Sequence, residues 1–150
     1  METLSLPPDF KEFLQFLNEE KVEYLLIGGW AVGVYGVIRY TQDMDVWVAI
    51  HPENAGRIVK ALGRFGFTHG EATAELFLET GNIIRMGVPP MRIEIATKID
   101  GVEFTECHER REVVMIDGLS VPVISLADLI QNKRASNRLK DQADVEALTE

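Results

Sequence analysis

Two apolar runs, residues 113–116 and 119–124, are separated only by Asp117-Gly118. An Asp-Gly pair suits the two positive-φ positions of a type I′ turn, so the segment predicts a β-hairpin. A hairpin imposes an antiparallel pair, and a sheet that contains it cannot be wholly parallel. The rest of the chain has to be fitted to that sheet. Pro7-Pro8-Asp9 reads as a helix start with Asp9 as the cap, followed by one apolar stripe of Phe10, Phe13, Leu14 and Leu17. Residues 24–27 read as a buried strand entering a tight turn at Gly28-Gly29, and 31–37 as a short helix. Residues 44–50 alternate like a strand, and His51-Pro52-Glu53 opens a helix to about residue 65. Three short strands are expected at 76–78, 83–86 and 91–96, divided by Gly81, Gly87 and Pro89-Pro90. Ser125 through Asp128 forms a capping box, and a last helix is expected over 140–148. The expected fold class is therefore α/β in the broad sense (α+β), a single mixed β-sheet with helices packed on it. One domain is expected over residues 1–150.

A formal net charge of −9 argues against tight, sequence-independent binding of nucleic acid, where phosphate neutralisation supplies most of the affinity. The densest positive cluster runs from Lys133-Arg134 to Arg138 and Lys140. For Arg134, a solvated helix end and a local basic patch are equally good readings. Cys107 is the single cysteine, so neither an internal disulfide nor a CxxC metal pattern is available. No apolar run nears the roughly 18 residues of a membrane span, and the acidic start Met1-Glu2-Thr3-Leu4 does not read as a secretory signal. A cytoplasmic protein is expected.

The chemistry concentrates in Asp43-Met44-Asp45-Val46-Trp47-Val48. On a strand, Met44, Val46 and Val48 share a core face, while Asp43, Asp45 and Trp47 share the other. The rise of about 3.3 Å per residue puts the two carboxylates about 7 Å apart along the strand. Like charges that close invite a hard cation, and Mg²⁺ takes one or two protein carboxylates together with substrate phosphates. An acidic strand end without function has the same pattern. Glu94 strengthens the functional reading: Met91, Ile93 and Ile95 form a core face, and Glu94 lies opposite it between isoleucines, where desolvation is costly unless it is paired. Arg92, on the same face, is the alternative partner. Gly28-Gly29 lets the backbone pass close to a ligand and leaves the following helix N–H groups for a phosphate, or it is a plain strand-to-helix turn. Lys133 falls on the inward stripe that follows Leu126, Leu129 and Ile130. It either snorkels past the core or reaches a buried acidic or phosphate group, with the second favoured.

In this order the pieces resemble the nucleotidyltransferase superfamily named for DNA polymerase beta. The motifs are Gly28-Gly29, Asp43-Met44-Asp45 and Ile93-Glu94-Ile95. The stretch with Arg39 and Thr41 ahead of the aspartates, and the tail with Asp128-Leu129-Ile130, Lys133-Arg134-Ala135-Ser136 and Lys140-Asp141-Gln142-Ala143-Asp144, are similar to a small prokaryotic branch that includes abortive-infection toxin-like proteins. Gly29 stands where many members have serine, and Glu94 where aspartate is common. Asn137 and Leu139 interrupt a tail that more often reads Gly-Arg-Pro-Lys. The resemblance implies the nucleotidyltransferase fold and transfer of a nucleoside monophosphate from a nucleoside triphosphate such as ATP to an acceptor hydroxyl, with release of pyrophosphate. It implies Mg²⁺ or Mn²⁺ on Asp43, Asp45 and Glu94, with the third carboxylate helping to activate the attacking hydroxyl, and nucleotide contacts from Gly28, Gly29, Arg39, Thr41 and Lys133. The acceptor class stays open between a small molecule, a protein and an RNA end. The alternative reading is a non-catalytic module that regulates a cognate partner encoded nearby, as in toxin–antitoxin pairs.

Overall fold

The computed structural model describes residues 5–37, 43–67, 73–88 and 91–150. Arg39, Thr41 and Pro89-Pro90 lie outside the described residues. Six strands form one mixed sheet: β1 Tyr24–Ile27, β2 Met44–Val48, β3 Ile83–Met86, β4 Ile93–Ala96, β5 Glu112–Ile116 and β6 Leu119–Val123, in the order β3-β4-β2-β1-β6-β5. β1–β2, β3–β4 and β5–β6 pair antiparallel, whereas β1–β6 and β2–β4 are parallel. The hairpin at Asp117-Gly118 closes as expected, with φ of 51° and 83° at its two turn residues.

The helices are α1 Pro8–Glu19, α2 Gly28–Val34, α3 Pro52–Arg64, α4 Phe104–Glu109, α5 Leu126–Ser136 and α6 Leu139–Thr149. α1 and α3 pack together over the sheet face that carries Met44, Val46, Val48 and Ile95. The stripe of Phe10, Phe13, Leu14 and Leu17 is buried there, and Phe13 meets Phe65 edge-on. A fully buried Asn54 fastens the start of α3 to the sheet. Its Oδ1 accepts from the Glu23 amide at 2.7 Å, and its Nδ2 donates to the Glu23 and Ala49 carbonyls at 3.1 and 2.9 Å.

Besides strands β2 and β4, which are two residues shorter than expected, the structure differs from the sequence reading in four places. Pro7, not Asp9, is the cap of α1; Pro8 takes the first helical position, where its missing N–H costs nothing, and Asp9 lies in the first turn. α2 begins at Gly28 itself instead of residue 31. Residues 76–78 belong to a 3-10 helix, Ala74–Leu78, which buries Phe77 against α3; an apolar run that short carries no reliable period. α4 was not expected. It is six residues long, and among them only Cys107 is buried, so it leaves no amphipathic stripe to read. Its Phe104 covers Trp47 edge-on at 5.1 Å, on the second face of the sheet.

Asn54→Ala removes three hydrogen bonds from a fully buried junction. Denaturant unfolding should show a loss of about 2–3 kcal/mol, because the Glu23 amide and the Ala49 carbonyl lose their partner. A loss below about 0.5 kcal/mol would remove this junction from the account of the fold.

Candidate active site

Strand register assembles the site. β1 pairs Ile27 with Asp45, β2 pairs Asp45 with Glu94, and β4 pairs Glu94 with Arg85. Ile27, Asp45, Glu94 and Arg85 therefore form one row across four strands, on the face away from α1 and α3. A step along the same face, Leu25, Trp47, Ala96 and Ile83 form an apolar row. A step the other way lie Asp43 and Arg92. The glycine turn closes over this row from the β1 side. Gly28 adopts φ of 67° and lies so close to Asp45 that any Cβ there would overlap the Asp45 carboxylate. Glycine is required at this position by both its φ and the contact.

A cavity of about 740 Å³ opens over the row. Gly28, Gly29, Asp43, Asp45 and Glu94 all line it. Arg85, Lys98, Asn132, Ser136, Arg138 and Lys140 line it as well. Five basic residues (Arg85, Arg92, Lys98, Arg138, Lys140) thus face four acidic ones (Asp43, Asp45, Glu94, Asp100), a local excess of cation in a chain of net charge −9. Arg85 was missed in the sequence, although it is an isolated charge in the apolar run Ile83-Ile84-Arg85-Met86 and alternation puts it opposite Ile84 and Met86. Its neighbour Glu94 became apparent only with the β3–β4 register.

The carboxylates are held differently from one another. Arg92 donates from Nη2 to Asp43 Oδ2 at 2.8 Å, and Arg85 donates from Nε to Glu94 Oε1 at 2.9 Å. The Arg92–Glu94 pair considered from sequence is present only as a looser contact of 3.6 Å. Asp45 is held by its neighbours on the row instead. Its carboxyl is pushed up to about 7, first by burial, then by a hydrogen bond to Glu94 and the charges of Glu94 and Asp43, while Lys140 pulls the other way. Asp45 thus hydrogen-bonds to Glu94 within the row, an arrangement that a cation could replace. Two carboxylates with room for substrate phosphates fit what Mg²⁺ requires. The full three-ligand set of Asp43, Asp45 and Glu94 is not gathered: among the described residues no three His, Cys, Asp or Glu side chains converge to hold a metal ion. Arg92 and Arg85 draw the two outer carboxylates toward themselves.

Lys133 departs from the expected nucleotide contact. It is buried and does not line the cavity; its Nζ meets Asp141 Oδ1 at 3.1 Å and Asp144 Oδ2 at 3.0 Å, both on α6. Ser136 Oγ donates to Asp141, and Arg138 Nε does so at 2.9 Å. Of the two anionic partners foreseen for Lys133, the buried acidic one is present, on the neighbouring helix instead of among Asp43, Asp45 and Glu94. The cluster fastens α6 to α5 across Asn137, whose left-handed φ of 55° makes the sharp joint between them. Asn tolerates that conformation better than most residues. The joint carries Arg138 and Lys140 to the cavity mouth.

A profile of the family described as nucleotidyltransferase of unknown function (DUF6036) matches residues 5–149. The chain belongs to that family. Its general activity is nucleotidyl transfer. Solved structures share its fold. A candidate nucleotidyltransferase from Thermotoga maritima aligns at TM-score 0.61 and 16% identity, over 97% of this chain and 94% of that one. The lincosamide antibiotic adenylyltransferase LnuA, bound to lincomycin, aligns at TM-score 0.60 and 14% identity, over 98% of each chain. ANT(2″)-Ia in complex with adenylyl-2″-tobramycin aligns at 0.57 and 15%, over 93% of this chain and 84% of that one. A comparison with curated proteins gave no match. No helix among the described residues is long and apolar enough to cross a membrane.

Lys133→Ala leaves two buried carboxylates without their shared ammonium and should destabilise the domain by about 3–5 kcal/mol. Arg134→Ala, on the exposed side of the same helix, should change stability by less than about 0.5 kcal/mol. Equal effects in urea unfolding would mean that the Lys133 cluster does not hold α6.

The raised Asp45 carboxyl sets a pH dependence. Folded Asp45 keeps its proton up to about 7, whereas the unfolded chain releases it near the ordinary aspartate value of 3.8. Its contribution is therefore fully present below about pH 3.8 and is lost as pH rises through about 7. In chelator-treated protein, Asp45→Asn should gain stability over the parent across that window, on the order of 1–3 kcal/mol by pH 8. Parallel stability curves for the two proteins would contradict a buried, crowded Asp45.

Proposed function

We propose that this protein transfers a nucleoside monophosphate from a nucleoside triphosphate to the hydroxyl of a small molecule, releasing pyrophosphate, with Mg²⁺ or Mn²⁺ held by Asp43, Asp45 and Glu94. The observation that carries the reading is the row across β1, β2 and β4, which sets Asp45 between the glycine turn and Glu94. Family membership supplies the reaction class.

The divalent ion, when bound, supplies charge neutralisation for the phosphates and polarises the oxygens that enter and leave the reacting phosphorus. The protein's own groups do the rest. Gly28 and Gly29 bring backbone against the cavity without side chains in the way, so a triphosphate lies close to the β1–α2 turn. Arg138 and Lys140, at the mouth, offset its negative charge, and Arg39 and Thr41 keep the nucleotide-binding role that the family resemblance implies. A cation held by Asp43, Asp45 and Glu94 would compete with Arg92 and Arg85 for two of these carboxylates, and both guanidiniums line the cavity where the phosphates would lie. Asp45, whose carboxyl is raised to about 7 by burial and by its acidic neighbours, is suited to accept the proton of an attacking hydroxyl. The new bond joins the acceptor oxygen to the α-phosphorus, and the bond from that phosphorus to the pyrophosphate oxygen breaks.

A small acceptor is favoured over an RNA end on two grounds. The net charge of −9 opposes general RNA affinity. Two structures with this fold are described with lincomycin and with adenylyl-tobramycin, both small molecules bearing hydroxyls.

The test uses α-labelled nucleoside triphosphates, Mg²⁺ and a panel of small polyhydroxy compounds. Label should pass to an acceptor with equimolar pyrophosphate, and an Asp43→Asn, Asp45→Asn double variant should lose at least about a thousandfold in rate while remaining folded. A nucleoside triphosphate with Mg²⁺ should also raise the melting temperature of the parent but not of that variant. Transfer or thermal shift retained by the double variant would move the site elsewhere.

A further inference from the structure

β5 forms one edge of the sheet, and the middle of that edge is an uncharged run, Val113-Val114-Met115. Val113 is 59% exposed and Met115 64%. They alternate with Val114, so both side chains stand on the same face. Natural edge strands are usually protected by a proline, a central charge or a bulge. β5 has none of these. It pairs residue for residue with β6 without a bulge, and the flanking charges, Arg111, Glu112 and Asp117, lie at its ends.

The free hydrogen-bonding groups can be assigned. Asp117 and Gly118 both have positive φ, the mark of a two-residue type I′ turn, in which the closing pair, Ile116 and Leu119, exchanges both backbone bonds. Bonded pairs alternate with unbonded ones along an antiparallel ladder. Val114 and Glu112 therefore bond inward to β6, and the N–H and C=O groups of Val113 and Met115 point outward from the sheet.

We propose that a second copy of this chain docks here, its β5 antiparallel to this one, on a two-fold axis through Val114. In that register Val113 of each copy faces Met115 of the other, and their outward backbone groups form bonded pairs. Arg111 of each copy faces Asp117 of the other, so cation meets anion at both ends. Centring the axis on Val113 instead would set Met115 against Arg111, and centring it on Met115 would set Val113 against Asp117. On the face that carries Val113 and Met115, only the Val114 axis matches apolar with apolar and charge with opposite charge; on the other face Val114 meets Val114 and Glu112 lies opposite Ile116. Within one copy those charged groups are lightly engaged: Arg111 bonds to the His108 carbonyl at 2.7 Å, and Asp117 meets Lys11 at 3.9 Å. The six-stranded sheets would continue through the dyad. The cavity lies over β1 to β3, beyond β6 from this edge, so docking leaves it open.

Light scattering on the full chain over a micromolar range should give twice the 16.9 kDa mass of one copy. Val113→Lys with Met115→Lys places like charges on the paired row and should weaken association at least about tenfold, as should Arg111→Glu to a lesser degree. Val114→Cys sets two thiols about 4.5 Å apart at Cα, an unbonded antiparallel pair, and should give a covalent dimer on mild oxidation. Leu139→Cys, at an exposed site on α6, should not. The native Cys107 does not interfere, because it is buried and its thiol is pushed up to about 12. A monomer throughout, a dimer indifferent to the lysines, a higher assembly, or a Val114→Cys protein that stays monomeric under oxidation would each overturn the proposal. If the double lysine variant fails to fold, the cysteine pair decides.

Discussion

Asp45 is the residue on which the arrangement of the site depends. The parallel pairing of β2 with β4 sets it beside Glu94, the antiparallel pairing with β1 sets it beside Ile27, and the turn that follows β1 passes directly over it. A carboxylate boxed in this way is short of water and close to two others, and both effects raise its proton affinity. The sheet could avoid that cost with an apolar residue at 45. Keeping a carboxyl there leaves a local electrostatic cost, the one that the proposed cation would relieve. The same geometry explains why Gly28 has no side chain: the space a Cβ would need is already filled by Asp45.

Charge is distributed with the same economy. The chain as a whole repels polyanions, yet the cavity is rimmed by cations drawn from four separated parts of the sequence: β3, the start of β4, the segment after β4 and the α5–α6 joint. Arg138 and Lys140 reach the cavity only because α6 is held against α5, and that hold is the buried Lys133 with Asp141 and Asp144. Lys133 therefore acts on the site through packing. An isolated lysine at its level of burial would be intolerable; paired with two carboxylates it is accommodated, and the helix stripe that holds it is what made it conspicuous in the sequence.

What the sequence made legible follows from the range of the interactions involved. Alternation in Met44–Val48 and Ile93–Ala96 placed Asp45 and Glu94 on one face, because side-chain direction along a strand is a local property. The hairpin was legible because Asp117-Gly118 encodes a specific turn. The Ser125 cap was legible for the same reason, and its Oγ accepts from the Asp128 amide at 3.1 Å. Register between distant strands is not local, so Arg85 beside Glu94 and Arg92 beside Asp43 could not be read from either strand alone. Lys133 shows the same limit. Its inward direction was readable, but its partner depended on where the next helix lay. α4 and the 3-10 helix were missed because single buried residues, Cys107 and Phe77, anchor them, and one residue has no period.

The two arginines give the free site its charge balance. Asp43 and Glu94 would otherwise face Asp45 across a few ångströms with little water between them, and the folded state would bear that repulsion whether or not substrate was present. Arg92 relieves it beside Asp43 and Arg85 from the end of the row, at 2.8 and 2.9 Å. A guanidinium suits this role because it stays protonated, and its planar fork can leave one oxygen for another without losing its charge. The divalent ion proposed for this site would compete with these guanidiniums for the carboxylates, and both arginines line the same cavity. The same two side chains thus offset the repulsion among the acidic groups in the free protein, which lets an acidic cluster stand on one sheet face without a bound ion.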